Sequence, residues 1–161
     1  MKSYTSSLET PLGLIEINAN GTGILSVLFL DDTARIESEE NDFSASAKAE
    51  LTEYFSGIRK TFDLPLNFMG TGFQQRVWSQ LLAIPYGVTV SYLDLAKQLG
   101  DPKCIRAAAS ANGKNPFSII VPCHRVVGSN DTLVGYAGGL WRKRWLLEHE
   151  NKIANGLQLL F

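Results

Sequence analysis

The residues with the clearest capacity for chemistry lie in one stretch, residues 117–127, which reads FSIIVPCHRVV. The apolar run Ile119–Val121 and a proline lead into three consecutive polar residues, Cys123, His124 and Arg125. A short apolar run bounded by proline favours a buried strand that ends at a site. A thiolate is a strong nucleophile, and imidazole is the base best matched to activating it near neutral pH. This pattern predicts nucleophilic chemistry at Cys123.

Cys123 and His124 are adjacent in the chain, and this limits how the imidazole can reach the thiol. Consecutive residues of an extended chain point to opposite faces, so Cys123 and His124 can cooperate only if the chain turns or a water bridges them. The alternative is that Cys123 is a small buried hydrophobe and His124 an incidental neighbour. On these residues alone, the sequence favours catalysis only slightly.

The N-terminal half carries the signals of a small sheet with one helix. Alternating apolar residues and an Asn-Gly hairpin signal predict three strands, at Ser3–Ser7, Leu14–Ala19 and Gly23–Leu30. Further along we expect an acidic loop, a helix and an edge strand, at Asp31–Asp42, Ser44–Ser56 and Thr61–Leu66. This half has no nucleophile–base pair, so its expected role is that of a scaffold.

Two short helices joined by a tight turn are predicted before the reactive stretch. Ser91 caps the first helix, Gly100 ends it, and Asp101 with a following proline begins the second. This pattern matches the DNA-binding helix-turn-helix, although an ordinary helical hairpin is the commoner object. The second helix is rich in alanine and carries Lys103 and Arg106, which favours close approach to DNA.

Two more helices flank this region. One begins at Thr71, with Gln74 as its capping-box partner. The other spans Leu140–His149, and its basic triplet Arg142–Arg144 is expected to be a solvated face. Between them, the glycine-rich residues 128–138 lack the lysine and the spacing of a phosphate-binding loop, so we expect a pocket wall.

Composition and charge narrow the class of protein. A chain of 161 residues, 45% hydrophobic and 19% charged, fits a soluble protein of one domain or two small ones. No apolar run approaches a membrane span and the N-terminus lacks a signal-peptide core, so we expect a cytoplasmic location with reduced thiols. Residues 1–70 hold five basic and eleven acidic residues, and residues 71–161 hold ten and five. The second half is therefore expected to meet a polyanion, although a chance imbalance gives the same counts.

Several segments around the reactive stretch together resemble the O6-alkylguanine-DNA alkyltransferases, or methylated-DNA–protein-cysteine methyltransferases. Those proteins move an alkyl group from guanine O6 to their own cysteine. The resembling blocks stand in the right order and spacing: Phe73-Gln-Gln-Arg-Val-Trp78, Ile84-Pro-Tyr-Gly87, Val90-Ser-Tyr92, Arg106–Pro116, Pro122-Cys-His-Arg125, Gly135-Tyr-Ala-Gly-Gly139 and Trp145-Leu-Leu-Glu-His-Glu150.

The resemblance implies an α/β (α+β) fold in two domains. Residues 1–70 would form a small ribonuclease-H-like domain with an antiparallel sheet and a helix. Residues 71–161 would form a mainly helical, winged-helix-like DNA-binding domain that carries the active-site cysteine.

It also implies a catalytic set. Cys123 would accept the alkyl group, His124 would take its proton through a water, and Glu150 would orient the histidine. Tyr92 would protonate the leaving base at guanine N3. The alternatives are an exposed helix carboxylate for Glu150 and a half-buried phenol that only packs for Tyr92.

The DNA- and base-binding residues follow from the same resemblance. Arg106 would fill the space of a flipped base, and Asn115 would hold the turn under the site. The other implied contacts are backbone groups of Val126 and Ala137, and Lys103, Ala107, Ser110 and Arg125. The expected partner is double-stranded DNA with an alkylated guanine, bound through the minor groove by a monomer.

Neither a cofactor nor a metal is expected. The resemblance implies that the protein is itself the acceptor, and its two cysteines and two histidines lack zinc spacing. Some relatives hold zinc in their N-terminal part, but this chain has no cysteine or histidine before Cys104.

Three classes of function fit these patterns. The first is a single-turnover repair alkyltransferase acting on O6-alkylguanine, with O4-alkylthymine as a further substrate left open. The second is a non-catalytic DNA-binding relative, which would lack the cysteine. The third is a hydrolase with a Cys–His–Glu site, which multiple turnover would reveal.

Overall fold

A computed structural model of the chain describes residues 1–31 and 38–156. The chain divides into two compact units. The first comprises Met1–Phe68 with Pro116–Ile120, and the second comprises Met69–Asn115 with the residues from Val121 onward. The predicted mixed α/β class, with an antiparallel sheet first and helices after it, is confirmed.

The first unit is a three-stranded antiparallel sheet with one helix. Its strands, in the order β1-β2-β3, are Ser3–Thr10, Gly13–Asn20 and Gly23–Leu30. Ile15, Ile17 and Ala19 alternate along β2 and are fully buried, as the two-residue period of a strand requires. Helix α1, Asp42–Phe55, packs against the sheet. The three predicted strands and the helix are confirmed, while residues 32–37 of the acidic loop lie outside the described residues.

Two short segments, rather than a further strand, bond to β3. The N–H of Ile24 donates to the carbonyl of Pro65, and the N–H of Val27 donates to the carbonyl of Pro116, both at 2.8 Å. The predicted edge strand Thr61–Leu66 is therefore wrong, since only its last residue forms a β-bridge. Proline has no N–H and cannot continue a ladder of hydrogen bonds.

The second unit is mainly helical. Its helices α2, α3, α4 and α5 span Gly72–Leu81, Tyr92–Gln98, Ile105–Gly113 and Leu140–Asn155. The short strands β4, Val90–Ser91, and β5, Val126–Val127, pair in parallel. The caps predicted at Thr71 and Ser91 are confirmed: Thr71 accepts from the N–H of Gln74, and Ser91 accepts from the N–H of Asp94.

The helix-turn-helix is formed by α3 and α4. Gly100 adopts a φ of 99°, which favours glycine, and a 3₁₀ turn, Pro102–Cys104, precedes α4. The carboxylate of Asp101 caps this turn by accepting from the N–H of Lys103. At the other end, the indole N–H of Trp78 on α2 donates to the carbonyl of Ala111. Helix α4 is thus fixed at both ends.

The predicted strand at Ile119–Val121 is wrong, although all three residues are buried. Ile119 has a φ of 73°, and the N–H of Ile120 donates to the carbonyl of Ser118 at 2.9 Å, which closes a tight turn. A β-branched residue rarely adopts a positive φ. The hydrophobic run correctly predicted burial, but it carried no signal for this torsion.

Within the described ranges, no helix combines the length and the apolar character needed to cross a membrane.

Candidate active site

Cys123 lies in a tight turn of the second unit. Its N–H donates to the carbonyl of Val121 at 2.8 Å across Pro122, and a 3₁₀ turn continues through Arg125. The thiol-bearing residue is only 7% exposed. Because the chain turns here, the condition that the sequence set for cooperation between Cys123 and His124 is met.

Two buried asparagines hold this turn. The amide of Asn115 donates to the carbonyl of Val121 at 2.8 Å. The amide of Asn112 donates to the carbonyl of Cys123 at 3.4 Å. Asn112 was not predicted. It lies three residues before Asn115, at the end of α4, and this spacing could have indicated that both side chains reach the same turn.

His124 and Glu150 form a buried hydrogen-bonded pair. His124 is fully buried, Glu150 is 1% exposed, and Nε2 of His124 lies 2.7 Å from Oε2 of Glu150. In the neutral imidazole, the proton on Nε2 faces the carboxylate, so Nδ1 is left as the acceptor. Among the described residues, this Nδ1 has no hydrogen-bond partner.

Arg125 joins this pair instead of the DNA-facing residues with which the sequence grouped it. Its Nε and Nη2 donate to Glu150 at 2.7 and 3.1 Å, and its Nη1 donates to the carbonyl of Ile84 at 2.7 Å. The residue is 6% exposed. A guanidinium that is buried and bonded in this way is not available to DNA.

The protonation states of Cys123, His124 and Glu150 follow from their burial and from the groups that they face. Burial raises the pKa of Cys123, and a hydrogen bond from Asn115 and the charge of Lys143 oppose that rise only in part. Burial also lowers the pKa of His124, against the effect of Glu150. For Glu150, burial is outweighed by His124 and Arg125, which hold its pKa far below the usual range. At neutral pH the resting site therefore contains a thiol, a neutral imidazole and a carboxylate.

Lys143 is the main site residue that the sequence analysis missed. The basic triplet was expected to be solvated, but Lys143 is fully buried, Arg142 is 4% exposed, and only Arg144 is exposed. Burial lowers the pKa of Lys143 to about 8, against the effect of Cys123. The signal was helical spacing, because Lys143 lies on the same face of α5 as Leu147 and Glu150.

Tyr92 and Lys143 both bind the glycine-rich loop. The hydroxyl of Tyr92 donates to the carbonyl of Val134 at 3.1 Å. The amine of Lys143 donates to the same carbonyl at 2.9 Å and to that of Gly135 at 3.1 Å. Burial and the neighbouring Cys123 raise the pKa of Tyr92, which therefore stays a neutral donor. These hydrogen bonds fix the loop to Tyr92 on α3 and to Lys143 on α5.

The two residues expected to read the base through their backbones differ in position. Ala137 is exposed on this loop. Val126 is buried, and its N–H already donates to the carbonyl of Cys123. A base contact from Val126 would have to use its carbonyl oxygen.

The remaining predicted DNA contacts share one face of α4 and the turn before it. Lys103, Arg106, Ala107 and Ser110 follow helical spacing, and all four are exposed. This face combines two cations with small side chains, so another surface can approach its backbone closely. In the parts of the chain that the structure describes, no three residues of the metal-ligating types are grouped so that they could hold a metal ion.

The fold and the site define a class: a two-unit α/β protein in which a cysteine, a histidine and a glutamate meet beside a helix-turn-helix. Residues 72–152 match the family model "6-O-methylguanine DNA methyltransferase, DNA binding domain", and residues 3–68 match the "ribonuclease-like domain" of the same family. The chain belongs to the 6-O-methylguanine DNA methyltransferase family.

Individual relatives agree with this assignment. The methylated-DNA–protein-cysteine methyltransferase of Mycobacterium leprae is 43% identical over 91% of this chain and 92% of its own length. The constitutive Bacillus subtilis protein of that name is 46% identical over 84% and 87%. The crystal structure of Mycobacterium tuberculosis O6-methylguanine methyltransferase superimposes with a TM-score of 0.86, at 39% identity over 97% of both chains. A structure of Mycobacterium tuberculosis OGT in complex with DNA gives 0.84, at 40% identity over 92% and 93%.

Proposed function

We propose that this protein repairs DNA by transferring the alkyl group of O6-alkylguanine to the sulfur of Cys123. The observation that carries the proposal is the site itself. A buried thiol lies in a tight turn beside His124, whose Nε2 is bonded to Glu150 and whose Nδ1 has no hydrogen-bond partner among the described residues and can accept a proton. Family membership and the names of the relatives support the same reaction.

Proton removal from the thiol accompanies the transfer. Because burial disfavours the thiolate, the proton must leave Cys123 as the alkyl group arrives. We expect a water between Sγ and Nδ1 of His124 to carry it. Glu150 then stabilises the imidazolium, and Lys143 stabilises the developing negative charge on sulfur.

Transfer is an in-line displacement at the alkyl carbon. A bond forms from sulfur to carbon, the bond from carbon to O6 breaks, and its electron pair leaves with guanine. Tyr92 is expected to supply a proton to the leaving base at N3, and its phenol regains a proton from the His124 imidazolium through solvent. The product thioether has no ready route back to a thiol, so each molecule acts once and needs no cofactor.

The exposed face of α4 is the proposed DNA contact. Its small residues Ala107 and Ser110 suit the minor groove, Lys103 would bind phosphate, and Arg106 would occupy the space of the extruded base. Extrusion costs about a few kcal/mol, which these contacts must supply.

The turn and the loop would then receive the base. Asn115 would hold the turn, while backbone groups of Val126 and Ala137 would bind the base edge. We propose that the protein acts as a monomer on double-stranded DNA in the cytoplasm, where a reactive thiol stays reduced.

Intact-mass measurement after mixing with duplex DNA that contains O6-methylguanine tests the proposal. We expect each protein molecule to gain the mass of one methyl group and the number of repaired lesions not to exceed the number of protein molecules. Unmodified DNA is the control. Repair in excess of protein would instead indicate a hydrolase, and unchanged mass and lesion would reject transfer.

A further inference from the structure

Arg125 has no role in the transfer described above, yet it donates two hydrogen bonds to Glu150, the carboxylate paired with His124. Its Nε lies 2.7 Å from Oε1 of Glu150 and its Nη2 lies 3.1 Å from Oε2. The same Oε2 lies 2.7 Å from Nε2 of His124. One buried carboxylate is therefore shared between a permanent cation and an imidazole.

The guanidinium is locked in place as well as paired. Its third nitrogen, Nη1, donates to the carbonyl of Ile84 at 2.7 Å, and its central carbon lies 5.6 Å from the centre of the Tyr86 ring. Three directed hydrogen bonds and a flanking aromatic ring fix the plane of the guanidinium. The guanidinium in turn fixes the position of the Glu150 carboxylate.

Charge balance shows how the Arg125 guanidinium affects the protonation state of His124. A buried carboxylate facing only an imidazole is stabilised when that imidazole is protonated, and a protonated imidazole cannot accept a proton from a thiol. Arg125 already neutralises Glu150, so the buried pair needs no further positive charge. A second cation at His124 would also lie close to the guanidinium and to Lys143, which is buried at the same site.

We infer that Arg125 is a positioning residue that neutralises Glu150 and so keeps His124 an uncharged base with a free Nδ1. The charged groups that act on His124 are Glu150 and Lys143 from α5 and Arg125 from the turn, with Tyr86 beside the guanidinium. Glu150 favours a protonated His124, and both buried cations oppose it. Removing Arg125 therefore favours uptake of a proton by the His124–Glu150 pair.

NMR titration of His124 in the full chain tests this inference directly. The chain has only two histidines, so a His149→Asn variant identifies the other signal. In the unaltered protein, His124 should be neutral at pH 7, with its proton on Nε2. In Arg125→Met, the His124–Glu150 pair should take up a proton at a pH higher by about 1 to 3 units, because a neighbouring charge shifts a pKa by that amount.

Two further variants separate this role from simple packing. Arg125→Lys keeps the charge and should titrate close to the unaltered protein, even if the loss of the guanidinium slows transfer. In Arg125→Met with Glu150→Gln, both charges are gone, so His124 should again stay neutral at pH 7. A purely structural role of Arg125 would leave the titration midpoint of the His124–Glu150 pair unmoved in Arg125→Met, and that result would overturn the inference.

The inference rests on the proposed transfer reaction, but its failure can be distinguished from the failure of that reaction. In single-turnover assays, the acidic limb of the pH–rate profile should move to higher pH in Arg125→Met and return in Arg125→Lys. If the unaltered protein transfers nothing, the proposed function fails while the NMR titration still tests Arg125. If Arg125→Met does not fold, a protonated His124 at pH 7 in the unaltered protein would by itself refute the inference.

Discussion

A thiol buried as deeply as that of Cys123 reacts only when its surroundings remove its proton and balance its charge. In the described part of the chain, no imidazole or buried cation is seen to interact with the second thiol. Cys104 is half-buried, and its Sγ lies 3.9 Å from the carbonyl of Ala96. The two cysteines therefore make a matched pair for testing which one accepts the alkyl group.

We expect Cys123→Ser to bind DNA with unchanged affinity and to transfer no alkyl group, whereas Cys104→Ser should retain both properties. The reason is that only Cys123 has an imidazole acceptor and a buried cation nearby. Peptide mass mapping locates the added methyl group, and fluorescence anisotropy with labelled duplex DNA measures binding. A methyl group on the peptide that contains Cys104 would refute the assignment.

The His124–Glu150 pair should affect rate and not stoichiometry. General-base catalysis typically contributes about 100- to 10,000-fold, so His124→Ala should slow transfer within that range. Glu150→Ala should also slow it, because the imidazole loses its orienting partner. Each variant should still accept one methyl group per molecule when given time. Glu148→Ala, on the same helix, is the control and should transfer at the normal rate in a single-turnover assay.

Lys143 makes the free energy of unfolding depend on pH in the alkaline range. Burial lowers its pKa from 10.5 to about 8, so between these values the folded state has released a proton that the unfolded state still holds. Stability contributed through this group therefore rises with pH across that window. In a Cys123→Ser background, Lys143→Met should lack the rise.

Urea unfolding across this pH window measures the effect, with Arg144→Met as the matched control. Arg144 is the next residue of α5 and is exposed, so its loss removes the same charge without removing a buried one. Parallel stability profiles for the Lys143→Met variant and its parent would contradict the prediction.

At the scale of elements, helix α4 combines fixed ends with an exposed outer face. Arg106 lies on that face and is separate from the buried cluster around Glu150. We expect Arg106→Ala to slow repair of O6-methylguanine in duplex DNA much more than reaction with a free O6-alkylguanine base, which needs no extrusion. Arg144→Ala should slow neither reaction. Equal losses on both substrates would show that Arg106 does not act in base extrusion.

The elements that the sequence predicted well are those specified by local hydrogen bonds. Thr71 with Gln74, and Ser91 with Asp94, start α2 and α3 where their spacing placed the caps. The strands of the first unit were equally clear from alternation and turn residues. Local rules of this kind depend on neighbours in the chain and need no knowledge of tertiary structure.

The failures come from tertiary context. The run ending at Val121 was correctly predicted to be buried, but its backbone turns at Ile119, and hydrophobicity does not report backbone torsion. Lys143 was expected to be solvated because charged residues are usually exposed, and Arg125 was placed among the DNA contacts by the family resemblance. Both are buried because the site supplies each with specific partners, and such partners come from distant parts of the sequence.

At the scale of the whole molecule, the boundary between the two units is crossed more than once by the chain. Residues 116–120 belong to the first unit, although Asn115 and Val121 on either side belong to the second. The hydrogen bond from Asn115 to the carbonyl of Val121 joins the two residues of the second unit that flank this segment. The same bond forms part of the turn that holds Cys123.

Cutting the chain near residue 70 would therefore leave a fragment with a misplaced segment. Residues 71–161 contain the whole candidate site, but they also contain Phe117, which is fully buried in the first unit, where its ring lies 5.7 Å from that of Phe68. In the fragment this side chain would be exposed, so we expect aggregation. Phe117→Ser should improve the fragment's solubility, measured by light scattering.

In the full chain, the same substitution should be harmful, because truncating a buried phenylalanine costs about 3 to 5 kcal/mol. Thermal unfolding would show this as a lower melting temperature. One substitution would thus be beneficial in the fragment and damaging in the intact protein. For residues 116–120, variant effects measured on an excised catalytic half could therefore not be transferred to the whole chain. None of these five residues belongs to the candidate site.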